Sequence, residues 1–459
     1  MNSKLVSLFC CLIMLVSFSG CTKVTQLVKD NQPTKAELLA EINEEHQRWE
    51  AAPAADPTPY LRHYDDPADA QKYFDYVTDT YSEYDAAKEL SLEEAEEDVN
   101  YLFDAFYDYF GGHTVFDQAK AEILQELQAK DNLTCKDLQE VLVKHLTFIK
   151  DGHFNINHNF PAEKEIPFFF RQVMFVKTDS GYQDSNGKTV VSVDGHPDLD
   201  ALFKRSISKE GYLVYYPVLL KKAKFDGTEW DKHVCDEQLT VHYADGSTDV
   251  LTADTWSQYY KDLPKGQNTD LRQTDGIPVF QFNSFDGSFL QEVNAAAAQM
   301  SDAAISMLDL RSNVGGYEEV AHQWITRYSR QRVQGNGVRY DVVNPVSVAI
   351  AHRWQTHDNI LILLSGKCSA SSAEITMDLA YNLENSLIIG ENTNGCMIGN
   401  GGHVELPNSK CSVIMTSVCV YLLPEGADYF EEMRGLSPDI WVPAKEAETL
   451  AAKLMENLK

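Results

Sequence analysis

From Ser91 onward apolar residues recur at helical spacing: Leu92, Ala95, Val99, Leu102, Phe103 and Phe106 share one face. Ser91-Leu92-Glu93-Glu94 has the spacing of a capping box, so a helix is predicted to start there. A further helical pattern begins near Asn132 or Thr134 and puts Leu138, Val141, Leu142, Leu146 and Ile149 on one side. His145 shares that side and reads as a packed histidine. After about residue 165 the pattern changes. Pro167 to Val176, Thr189 to Val193 and Gln238 to Tyr243 have strand character. Asp262 to Asp275 is polar, contains Pro264 and Gly266, and reads as a linker. From Ile277 to about Gly390 strands and helices alternate. Ile305 to Leu310 reads as a strand followed by a helix near Glu318. Ile360 to Leu364 reads as a buried strand, followed by a helix over Glu374 to Leu383 with Ile375, Leu379 and Leu383 on one face. Such alternation predicts an α/β layered domain.

These shifts divide the chain. Lys4 and the apolar stretch Leu5 to Phe18 form an export signal, expected over residues 1–20. Phe18-Ser19-Gly20-Cys21 resembles a bacterial lipobox, with Phe18 where leucine is more usual. Cys21 is therefore the expected lipidation site, and the mature protein is expected in the cell envelope, anchored at the outer membrane or periplasmic face. A polar, proline-containing tether is expected over 21–60, with a short helix around Lys35 to Ala52. A helical domain (61–160), a β-rich intermediate domain (161–262), a core (275–446) and a C-terminal helix (447–459) follow. No later apolar run is long enough to span a bilayer, so membrane contact is expected through the lipid alone.

A formal charge of −30 disfavours nucleic acid and anionic surfaces as partners and favours solubility. Of nine cysteines, Cys10 and Cys11 leave with the signal. Apart from Cys21, this leaves Cys135, Cys235, Cys368, Cys396, Cys411 and Cys419, an even number that permits disulfides in an exported protein without assigning them. No Cys/His spacing reads as a zinc site and no HExxH occurs, so neither a metal nor an organic cofactor is expected.

The candidate chemistry sits at Lys367-Cys368-Ser369-Ala370-Ser371-Ser372-Ala373-Glu374, between a predicted strand and a predicted helix. A serine there is exposed by the turn, and the helix N-terminus offers free N–H groups to a developing oxyanion. From chemistry alone Ser369, Ser371 and Ser372 are rivals, and each could merely cap the helix. Upstream, Gly315 and Gly316 let backbone N–H groups approach a ligand closely.

Three elements in order resemble those of the serine peptidase family S41, which includes C-terminal-processing and tricorn-core proteases. They are Asp309 to Gly316 (Asp-Leu-Arg-x-Asn-x-Gly-Gly), Ser371 to Glu374, and Gly435-Leu436-Ser437-Pro438-Asp439. The resemblance covers roughly Ile277 to Val442. It implies a crotonase/ClpP-like core. Val190 to Gly195 resembles the turn of the PDZ-like modules of this family, although an insert around Tyr212 to His233 departs from a regular PDZ domain. The resemblance also implies Ser371 as nucleophile. The Ser-Lys branch needs its base lysine where this chain has Cys396, and a thiol cannot replace that amine. The tricorn-like branch uses a histidine, and Lys150-Asp151-Gly152-His153 resembles its Asp-Gly-His motif, so His153 is the implied base. His403 and His113 are rivals. Glu432, three residues before Gly435, is the implied orienting carboxylate, with Glu431 adjacent. The serine that precedes the histidine in that branch is replaced by Gly152. The oxyanion hole is expected from the N–H groups of Gly315, with Gly316 as rival, and Ser372. The implied activity is cleavage of peptide or protein substrates through an acyl-enzyme. The alternative is an S41-like protein that binds peptides without cutting them, kept open by Cys396 and Gly152. A carbohydrate-binding lipoprotein has no motif behind it.

Overall fold

The structure is a computed structural model that describes residues 24–49, 52–53, 55–58, 82–109, 113–224, 232–261, 263–341 and 353–458. The expected signal peptide and Cys21 lie outside these residues.

Six strands make the central sheet, in the order Thr269–Thr274, Ile277–Phe282, Ile305–Asp309, Ile360–Ser365, Ser386–Gly390 and Ile440–Trp441. The first is antiparallel to its neighbour and the other pairings are parallel. Side chains of a strand alternate between faces, and a parallel sheet is covered on both, which explains the unbroken apolar run at Ile360 to Leu364. Leu361 and Leu363 enter one apolar cluster with Val293, Trp324, Ile325 and Leu379 from helices Leu290–Met300, Glu318–Ser329 and Ser372–Ala380. Ile360, Ile362 and Leu364 enter the cluster on the opposite face with Leu450 and Leu454 of helix Ala447–Asn457. The chain is thus mixed α/β with a helical N-terminal region, as the pattern predicts.

Two expectations need correction. The linker at Asp262 to Asp275 contains strand Thr269–Thr274, which forms a hairpin with Ile277–Phe282. Its two-residue turn, Asp275 at φ +49° and Gly276 at φ +81°, is an Asp-Gly hairpin signal that was hidden by the polar residues around it. The short helix expected within the tether forms over Lys35–Gln47, started by a complete capping box of Thr34 and Glu37, but it is not a free tether. Its Leu38 and Ile42 are buried in the cluster that holds Ile362, so this part of the chain is docked on the sheet.

The N-terminal helices are Leu92–Tyr109, His113–Gln128 and Cys135–His145. Ser91 and Glu94 form the expected box, and Thr134 with Asp137 forms a second one. His145 is ion-paired to Glu126 at 2.7 Å rather than packed among apolar groups. In the β-rich region, strand Leu213–Ala223 occupies the expected insert and pairs with Lys164–Phe169, Phe175–Thr178 and Phe203–Ile207.

A four-stranded sheet of Asn155–Ile156, Val338–Asp341, Gly399–Glu405 and Ser412–Leu422 joins the helical region to the core. Val404, Val413 and Met415 from it share a cluster with Leu102, Phe103 and Leu138. Pairing of Asn155 with Ile414 brings the Asp151-Gly152-His153 loop to the edge of the core. All six cysteines among the described residues are free thiols.

Candidate active site

The loops that follow Ile305–Asp309, Ile360–Ser365 and Ser386–Gly390 meet at the carboxyl ends of the parallel strands, where open α/β sheets bind ligands. Ser371 stands at the turn into helix Ser372–Ala380 with φ +54° and ψ −119°. That conformation costs a non-glycine residue about 1–3 kcal/mol and persists only when its surroundings enforce it. Glu374 enforces it from within the first helical turn. Its Oε2 accepts the N–H groups of Ser371 and Cys396, each at 3.0 Å. Its Oε1 accepts the Gly395 N–H at 2.8 Å and the Thr393 hydroxyl.

The three serines separate cleanly. Ser369 is fully buried, donates to Leu310 O at 2.8 Å and accepts from Gly366 N at 3.0 Å. Ser372 donates its hydroxyl to Gly316 O at 2.7 Å. The Ser371 hydroxyl donates no hydrogen bond among the described residues, and the residue is half-buried.

Gly315 presses against this serine. A β-carbon at Gly315, whose φ is +96°, would lie 2.7 Å from Ser371 Cβ and 2.9 Å from Ala370 O. The loop is shaped by Asn313, which donates to Phe282 O at 2.7 Å and takes the Ala370 N–H on its own carbonyl at 2.9 Å. Asn313 Oδ1 also accepts the Gly315 N–H at 2.8 Å. That bond occupies the Gly315 donor in this structure. The N–H groups of Gly316 and Ser372 carry no bond among the described residues, so the rival glycine is the available one.

Asp309 and Arg311 of the same element brace the fold. Asp309 is buried and paired with Arg311 and Arg272, at 2.7 and 2.8 Å. Burial alone would raise its pKa, but the two guanidinium groups outweigh burial and hold it below the usual carboxylate range. Asp439 of the third element is likewise structural: it accepts from His46 at 2.8 Å and from Ile388 N at 2.7 Å.

The loop of His153 reaches the site through Gly152. A β-carbon at Gly152 would fall 2.1 Å from Gly395 O and 2.3 Å from Cys396 Cβ, so no serine fits there. Cys396 in turn shares Glu374 with Ser371. Its buried thiol has a pKa well above the usual thiol range, first through burial and then through the charge of Glu374. The Gly152 N–H donates to Glu432 Oε1 at 2.7 Å. Glu432 keeps part of its surface exposed, but its carboxyl group is enclosed. Burial, and then repulsion by Asp151 and Glu374, raises the pKa of that carboxyl well above the usual range. Glu431 is exposed and paired with Arg434 at 3.1 Å, which separates the two adjacent acids.

The carboxylate beside the imidazole is Asp151, not Glu432. Its Oδ1 lies 3.6 Å from His153 Nδ1, which is buried without a hydrogen bond, and accepts the His153 N–H at 2.9 Å. The Asp151 Oδ2 accepts Thr416 N at 2.7 Å. Burial pushes the Asp151 carboxyl up, but His153 and then Thr416 outweigh it and bring its pKa below the usual range. Asp151 was within the quoted Asp-Gly-His motif, yet its position two residues before the histidine hid its role. His403 lies elsewhere, lining a cavity of about 520 Å³ with Tyr84, Asn157 and His158. His113 opens helix His113–Gln128.

Among the described residues no group of three or more His, Cys, Asp or Glu side chains could hold a metal ion. No described helix is long and apolar enough to cross a membrane.

No curated protein matches the chain at a significant level. Among solved structures, mature CPAF complexed with lactacystin is similar at 12% identity and a TM-score of 0.42, over 80% of this chain and 97% of that one. The photosystem II D1 C-terminal processing protease is similar at 14% identity and a TM-score of 0.37, over 80% and 97%. The tricorn protease is similar at 13% identity and a TM-score of 0.37, over 80% of this chain and 37% of that one. Likenesses this loose carry no inference about the site. The family model of peptidase family S41 matches residues 276–442, the span that holds all three quoted elements. This core of the chain is therefore similar to peptidase family S41.

Proposed function

We propose that the protein is an exported, lipid-anchored serine endopeptidase that cleaves peptide bonds through an acyl-enzyme. The observation that supports this best is the Ser371 hydroxyl, alone among its serine neighbours in donating no hydrogen bond among the described residues, on a turn held in place by Glu374. In this reading Ser371 Oγ attacks the peptide carbonyl and His153 takes its proton. Asp151 steadies the imidazolium, and Glu432 fixes the Gly152 backbone. The N–H groups of Gly316 and Ser372 receive the oxyanion. The tetrahedral intermediate collapses, the C–N bond breaks, and His153 returns its proton to the leaving amine. Water, deprotonated by His153, then attacks the ester and frees Ser371. Cys21 carries the anchor that holds the enzyme in the cell envelope, and the substrate is a peptide or protein. No cofactor is required.

A second reading has its own support. Ser371 Oγ has no hydrogen bond to His153, and a buried thiol stands where the Ser-Lys branch has its amine. A protein that holds peptides without cutting them is compatible with both. Hydrolysis of an unstructured protein by the wild type, Ser371→Ala, His153→Ala and His403→Ala separates the readings. The peptidase reading expects loss of about three orders of magnitude or more for the first two variants and little change for the third. A wild type no faster than Ser371→Ala overturns it.

A further inference from the structure

Lys164 is the first residue of strand Lys164–Phe169 in the β-rich region, and only 1% of its surface is exposed. Its ammonium donates to Gly152 O at 3.2 Å and to Asn394 Oδ1. Both partners belong to the loops of the site. Gly152 precedes His153. Asn394 is tied to the nucleophile loop twice, through its N–H to Ser369 O at 2.8 Å and through Nδ2 to Lys367 O at 3.0 Å.

Gly152 is thereby held at both ends. Glu432 takes its N–H at 2.7 Å and Lys164 takes its carbonyl at 3.2 Å, so two groups that can carry opposite charge fix the peptide plane leading into His153. Burying an ammonium is costly, and hydrophobic replacements often do as well for stability alone. A buried lysine bonded to both loops is better explained by what it aligns.

We infer that Lys164 is a positioning residue of this site: it clamps the loop of the base to the loop of the nucleophile and makes the β-rich region a required part of the peptidase. This inference rests on the reading of Ser371 and His153 given above. It places no substrate contact on Lys164.

The test uses the full mature chain with Lys164→Met and Lys164→Ala, and it has two readouts. Hydrogen exchange should quicken by about tenfold or more in segments 151–156 and 393–396, while segment 360–365 in the central sheet stays as in the wild type. Turnover of a peptide substrate should fall in kcat by about ten- to a hundredfold with KM within about threefold, because alignment rather than binding is lost. Ethylammonium should restore part of the turnover of Lys164→Ala, and tetramethylammonium, which cannot donate a hydrogen bond, should not. Wild-type exchange in both loop segments of Lys164→Met overturns the clamp whatever the activity. So does an undiminished kcat. If the loops loosen as expected but the wild type hydrolyses nothing, the clamp stands and the peptidase reading falls.

Discussion

Glu374 accepts the backbone N–H of Ser371 at 3.0 Å from three residues downstream, and it holds Ser371 in a backbone conformation that serine otherwise avoids. The same carboxylate accepts the N–H groups of Gly395 and Cys396 and the Thr393 hydroxyl, so one side chain sets the distance between two loops of the site. Glutamine can accept from one pair of these donors but points an NH₂ at the other. Glu374→Gln should therefore destabilise the protein by about 2–4 kcal/mol, since each buried donor left unpaired costs roughly 1–3 kcal/mol. Chemical denaturation measures this. Unchanged stability would mean that the loops find other partners.

Gly152 has no room for a side chain, and a serine there should harm this protein. The added β-carbon would lie 2.1 Å from Gly395 O, which is backbone and cannot rotate away. Gly152→Ser should cost about 1–3 kcal/mol or more, as overpacking does, and should lower turnover rather than raise it. A more active variant would mean that the His153 and Cys396 loops separate freely.

The Glu432 carboxyl gives a pH dependence whose sign is fixed. Its folded pKa lies well above the ordinary value of 4.5, so above that value the folded state keeps a proton that the unfolded chain releases. Its contribution to stability therefore falls as pH rises from about 4.5 towards the folded pKa. Glu432→Gln keeps an acceptor for the Gly152 N–H and should remove this falling limb. Asp151 acts the other way: its folded pKa is lowered, so its contribution is present above the unfolded value and lost as pH falls through the folded one. The acid limb should survive in Glu432→Gln. Melting temperatures between about pH 2 and pH 9 show both limbs, and identical profiles for variant and wild type would remove Glu432 as the source of the falling one.

The anchor is tested in the native host. Cys21→Ser should release the protein from the membrane fraction, and wild-type protein should carry an acyl chain on that residue. Retention of the variant together with an unacylated wild type would end the proposal.

How much of this could be read from the chain depended on whether the signal was local. The unbroken apolar run at Ile360 to Leu364 and the capping box at Ser91 and Glu94 are short-range patterns, and both form as read. Helix Lys35–Gln47 was legible as a helix, but its docking was not: only contact with the distant sheet reveals why Leu38 and Ile42 are apolar. Within the site, Ser371 and Gly315 were marked by motif, but the competition for the Gly315 N–H depends on the rotamer of Asn313. Asp151 and Lys164 became visible only after folding, because hydrogen-bonding reach and not sequence spacing defines their roles.

A fluorophosphonate tests most directly whether Ser371 is an activated nucleophile. The mature wild type should take up one phosphonyl group per chain, mapped by mass spectrometry to the peptide containing Ser371. Ser371→Ala, with folding verified by circular dichroism, should take up none. A label on another residue, or equal labelling of the two proteins, would contradict the assignment of Ser371, and an unlabelled wild type would favour the peptide-binding reading.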